Sequence, residues 1–121
     1  MLYINTMNKQ RNLWMVMQLT IFDETWAAIQ EKIDAEQKMI NDLEAENTQN
    51  RKDLAYEEKC LETADWQNIK DYENDIYYYR TDILRNDRII AESKNRIAKL
   101  RAQQAKMLQE SQKSVSNQKQ K

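Results

Sequence analysis

Three residue types are missing from this 121-residue chain: it has no glycine, no proline and no histidine. Tight reversals depend on residues that tolerate positive φ or arrive with φ already set, so their absence disfavours a sandwich, an α/β fold or a multi-helix globule. Without histidine and glycine there is no imidazole to serve as base to a nucleophile and no glycine-rich loop to cradle a phosphate. Cys60 is the single cysteine, which rules out an internal disulfide framework and suggests a reducing, intracellular setting. No stretch of about eighteen apolar residues occurs, so no segment is expected to cross a bilayer as a helix.

What is present is charge, and it is unevenly spread. Charged residues make up 32% of the chain, so the apolar side chains must be gathered on a stripe, as in long helices. Met1 to Phe22 carries Lys9 and Arg11 and no acid, whereas Asp23 to Glu92 carries nineteen acids against nine bases. Ser93 to Lys121 carries eight bases against Glu110 alone. Cations near a helix C-terminus complement the negative pole of its dipole, and a basic end could also dock on an acidic surface such as a cytoskeletal polymer, a lipid headgroup layer or nucleic acid.

Three regions follow. Residues 1–22 hold a ten-residue apolar block from Leu13 to Phe22 behind two bases, with Leu13, Trp14, Val16 and Phe22 as its anchors. This block reads as an anchor packing on a partner, and an uncleaved targeting segment is the alternative. Asp23 is the expected N-cap, or Thr20 with Asp23 in a loose capping box, and from there no breaker interrupts the chain to Gln112. Residues 23–112 are therefore expected to be a coiled-coil helix. Residues 113–121 form a basic polar tail without periodicity, expected to fray.

Heptad spacing is the strongest pattern. Ile69, Ile76, Ile83, Ile90 and Ile97 recur every seven residues, with Tyr72, Tyr79, Asn86, Ser93, Leu100 and Met107 at the companion core position. The first half repeats Trp26, Ile33, Ile40, Asn47, Leu54 and Leu61, with Ile29, Glu36, Leu43, Asn50, Glu57 and Ala64 as companions. The two registers differ by one residue, and the shift lies between Leu61 and Ile69. A continuous helix that unwinds locally absorbs such a shift, and so does an antiparallel helical hairpin turning near residues 62–66. A tight interhelical turn usually draws on glycine, so the expected fold is all-α, a single long helix in a coiled coil, with the hairpin as alternative.

Each Ile left in water forfeits about 1.5–3 kcal/mol, so the seam needs either a partner or a second arm. A parallel homodimer would set Asp82 against Asp87 and Arg96 against Arg101, with only Asp75 facing Arg80 favourably, so a heteromeric or antiparallel pairing fits better. Asn47, Asn50 and Asn86 fall at core positions, where a buried amide fixes register; an exposed stretch around Asn47–Arg51 is the competing reading. Tyr77 and Tyr78 point away from the seam and Trp66 sits at the shift, so these three are candidates for secondary contacts. Glu57–Glu58 and Asp71/Asp75 read as solvated faces rather than metal or acid–base pairs, and Cys60 as an incidental helical residue.

With no concave pocket expected, the chain should have no catalytic residue, cofactor, metal or small-molecule substrate. The sequence points to a structural scaffold or linker subunit of a large heteromeric assembly, foremost a cytoskeletal one (axonemal or microtubule-associated). The alternative is an accessory helical subunit of an organellar, mitochondrial membrane complex. A nucleic-acid-binding module is the third reading, weakened by the acidic middle and the scarcity of aromatics near the basic end.

Overall fold

The computed structural model describes the backbone of residues 2–120 and the side chains of residues 9–113. It is all-helical, with two helices, α1 Leu2–Glu62 and α2 Ile69–Gln120, and no strand among the described residues. The single continuous helix is thereby corrected: the chain breaks at Thr63–Asn68, and side chains far apart in sequence bond across the two helices. The hairpin is the arrangement that fits this packing.

The break needs no glycine because no described residue has positive φ. Instead α1 ends by tightening, with the Thr63 N–H donating to the Cys60 carbonyl and the Ala64 N–H to that of Leu61, both at 3.3 Å. These i→i+3 bonds satisfy carbonyls that a helix end otherwise leaves open. The Asp65 carbonyl then accepts from Asn68 at 2.8 Å and Ile69 at 3.2 Å, which starts the next helix. Lys59 in the last turn of α1 and Asp71 in the first turn of α2 each face the favourable helix pole.

Two boundaries also move. α1 begins at Leu2 rather than at Asp23, and α2 continues to Gln120 through the segment expected to fray. Leu, Met, Gln and Lys are good helix formers, and one internal Asp costs too little to stop a helix flanked by them. The side chains of Met1–Asn8 and of residues 114–121 lie outside the described residues.

Contacts divide the chain into a unit of Ala35–Ala98 and a unit of Met1–Asp34 with Lys99–Lys121. The 35–98 unit is a helical hairpin. On its α1 arm the shielded heptad positions are Glu36, Ile40, Leu43, Asn47, Asn50, Leu54, Glu57 and Leu61, with Met39, Asp53, Glu58 and Cys60 half-buried beside them. On its α2 arm the shielded heptad positions are Ile69, Tyr72, Ile76, Tyr79, Ile83, Asn86, Ile90, Ser93 and Ile97, flanked by Asp82 and Ile89. Both runs step alternately by three and four, so each heptad register builds one wall of the same seam and the one-residue shift is absorbed in the turn. In the other unit, Ile29, Ile33 and Gln104 are buried, and Phe22, Trp26, Leu100 and Met107 are half-buried.

Candidate functional site

The seam of the 35–98 hairpin is interrupted by polar layers, and they fix which residue meets which. Asn47 and Asn86, at 1% and 2% exposure, form the central one. Asn86 Nδ2 donates to Asn47 Oδ1 at 3.0 Å, while Asn47 Nδ2 donates to Asp87 Oδ1 at 2.9 Å and to the Ile83 carbonyl at 3.3 Å. Asn47 is therefore bonded on both sides of its amide, which is what a buried polar group needs. The exposed reading of the Asn47–Arg51 stretch is corrected by this burial.

A second layer joins Glu36 to Ser93 and Arg96. Arg96 Nε donates to Glu36 Oε1 at 2.7 Å and its Nη2 to Oε2 at 3.2 Å, and the Ser93 hydroxyl donates to the same carboxylate. The Arg96 guanidinium first, and then the Ser93 hydroxyl, hold the Glu36 carboxyl below its ordinary value of 4.5. The Arg96 pKa rises in turn because Glu36 binds its charged form. In the other unit Gln104 Nε2 donates to Gln30 Oε1 at 3.1 Å, again between helices.

Charges on the rim pair across the helices too. Arg80 bonds Glu58 at 2.9 Å, Arg51 approaches Asp87 at 3.7 Å and Lys94 approaches Glu44 at 3.9 Å. These pairs are largely exposed, so each adds little to stability, but together they oppose a slipped register. Asp82, buried at 6% exposure, pairs with Arg85 one turn along α2. Asn50 Nδ2 and Glu57 Oε2 are buried without a protein partner.

The proposed seam residues are thus placed inside the chain's own fold. Ile76, Ile90 and Ile97 are buried, and Ile69, Tyr72, Tyr79, Ile83 and Leu100 are half-buried. Among the first-half residues Ile33 and Ile40 are buried, and Trp26, Leu43, Leu54 and Leu61 are half-buried. Burial raises the Tyr79 pKa, reinforced by the neighbouring carboxylates of Asp53, Glu57 and Asp75. Cys60 is half-buried, and its proximity to the Tyr56 hydroxyl is the leading cause of a raised Tyr56 pKa. No group of three or more His, Cys, Asp or Glu side chains able to hold a metal occurs among the described residues.

Two surfaces stay open. In the 35–98 unit, Trp66 is 82% exposed in the turn, with Tyr56, Tyr77 and Tyr78 exposed on the flanking helices. Tyr78 meets Tyr79 edge to face, at 5.8 Å between ring centres, so the outer ring leans on the seam. In the other unit Leu13, Trp14, Met15, Val16, Met17, Leu19 and Ile21 are all exposed. Phe22 differs from the other anchor residues in being half-buried, stacked on Trp26 at 5.8 Å.

Beside that block lies an open groove of about 360 Å³, walled by Trp14, Leu19 and Phe22 of α1 and by Met107 of α2. Its presence corrects the expectation of no concave surface. Met15, Met17, Leu19 and Ile21 belong to this surface although the anchor reading named only four residues; the ten-residue apolar block, interrupted only by Gln18 and Thr20, was the signal. Tyr56 and the Glu36–Ser93–Arg96 layer were missed as well. A glutamate at a heptad core position was the sign that a basic partner would face it.

No family model matches the sequence, and no curated protein or solved structure is significantly similar to it.

Proposed function

We propose that this chain is a non-enzymatic structural subunit of a larger protein assembly, a helical hairpin that presents the aromatic surface at its turn to a protein partner. The supporting observation is the exposure of Trp66, with Tyr56, Tyr77 and Tyr78, on a unit whose apolar seam is already covered from within. Trp and Tyr dominate binding hot spots because each buries a large rigid surface at small entropic cost. The setting we favour is a cytoskeletal assembly, axonemal or microtubule-associated, in which the hairpin links larger subunits.

A second reading, an accessory subunit of an organellar membrane complex, draws on the exposed apolar block from Leu13 to Ile21. A pull-down with the variant Trp66→Ala/Tyr77→Ala/Tyr78→Ala tests the first reading. It should lose the partners that the native chain retains, while circular dichroism stays unchanged because these side chains are exposed. Full retention of every partner would sink the proposal. The seam variant Ile83→Ala/Ile90→Ala acts on folding and serves as the stability control. The location of a tagged chain separates the cytoskeletal from the organellar setting.

A further inference from the structure

Ten consecutive residues, Leu13 to Phe22, are apolar but for Gln18 and Thr20, and nearly all are exposed. Five in a row, Leu13 to Met17, lie open, so the apolar surface is broader than a single helical stripe. A protein groove that captures a helix reads a stripe at i, i+3, i+4 and i+7, and leaves the far side wet.

Three further features suit a lipid medium. The Thr20 hydroxyl donates to the Val16 carbonyl at 2.9 Å, so it is satisfied within its own helix and needs no water. Trp14 is an interfacial residue type, with an apolar body and one N–H donor. The charge on the N-terminal side of the block is positive: Lys9 and Arg11 precede it without an acid among residues 9–22. On α2, Met107, Glu110 and Ser111 line the groove beside the block, with Lys113 two residues further on.

Ten residues rise about 15 Å, half of the roughly 30 Å hydrocarbon core, and no described helix is long and apolar enough to cross a membrane. Charges bound the block on both sides, Lys9 and Arg11 before it and Asp23 and Glu24 after it, so it cannot enter a bilayer endwise without carrying a charge inward. Asp23 and Glu24 would be repelled by anionic headgroups and mark where contact stops.

We propose that the Lys9–Phe22 segment of α1 docks flat on an anionic lipid surface, its apolar side chains at the level of the upper acyl chains. Binding of this kind sums buried apolar area and attraction between bases and anionic headgroups. The proposal deepens the membrane reading by naming the lipid itself as the docking surface, and it does not depend on what the aromatic turn binds.

The test uses the full chain with Trp26→Phe and Trp66→Phe, so that Trp14 alone reports, mixed with phosphatidylcholine vesicles with or without phosphatidylserine. The expected result is co-sedimentation with the phosphatidylserine vesicles and a blue shift of Trp14 emission, both weakened by added salt. One Lys or Arg at such a surface is worth about fivefold in affinity, so Lys9→Gln/Arg11→Gln should bind about 25-fold more weakly. Leu13→Asn/Leu19→Asn, at positions exposed in the fold, should abolish the shift with helicity intact. Failure to sediment with phosphatidylserine vesicles overturns the proposal. So does a Trp14 shift that appears without lipid and rises with protein concentration, which assigns the block to a second copy of the chain. A chain recovered in a membrane protein complex yet blind to these vesicles keeps the membrane reading and ends this one.

Discussion

Asn86 Nδ2 donates to Asn47 Oδ1 at 3.0 Å across 39 residues of sequence, inside a seam where both side chains are almost wholly shielded from water. A slip of one heptad would break this bond and leave Asn86 against Ile40 or Leu54, so this pair sets the register of the two helices.

Replacing one member, Asn47→Leu or Asn86→Leu, should destabilise the protein by about 1–3 kcal/mol, because the other amide stays buried without its partner. The double variant should cost much less than the sum of the singles. Urea unfolding of the four proteins gives the coupling energy, and additive effects would show that the pair is not interacting in solution.

The same pair reports on the fold itself. In a Cys60→Ser chain, Asn47→Cys/Asn86→Cys should form an intramolecular disulfide on mild oxidation, seen as a monomer of altered gel mobility. Along one continuous helix the two positions would be about 58 Å apart and only intermolecular products could form.

Ile40 is 2% exposed and Leu84 69% exposed. Ile40→Ala should cost about 2–5 kcal/mol, the range for emptying a packed aliphatic site. Leu84→Ala should stay within about 0.5 kcal/mol. Equal urea midpoints for the two variants would place the core on the wrong face.

Arg96 and Ser93 hold the Glu36 pKa below its ordinary 4.5, which ties this layer to pH. A depressed folded pKa means a contribution that is complete above the unfolded value and is lost as pH falls through the folded one. Thermal stability of the native chain should therefore drop below about pH 4.5 by more than that of Glu36→Gln, and the difference should vanish at the acid end. Parallel pH profiles for the two proteins would remove Glu36 from the acid response.

Much of this architecture was legible in the residues. The missing breakers and good helix formers determined that the chain is helical from one side of the turn to the other. The recurrence every seven residues of Ile33, Ile40, Asn47 and again of Ile76, Ile83, Ile90 identified the face each helix would hide. Periodicity does so because it depends only on the 3.6-residue turn and on which side chains avoid water. It carries no information about what lies opposite that face.

Tertiary structure decided that the cover is the chain's other arm. Folding back costs loop-closure entropy that grows only slowly with length, and it joins two seams that are each incomplete alone. The missing glycine concealed this outcome, since i→i+3 bonds at Cys60 and Leu61 and the Asp65 carbonyl close the turn with φ negative throughout. The bonds from Glu36 to Ser93 and Arg96 were likewise invisible, because residues about sixty apart meet only once the helices are side by side. Tyr77 and Tyr78 keep their exposure for the complementary reason: a seam two helices wide covers only one side of each helix, and these residues stand on another, while Trp66 lies in the turn beyond the seam.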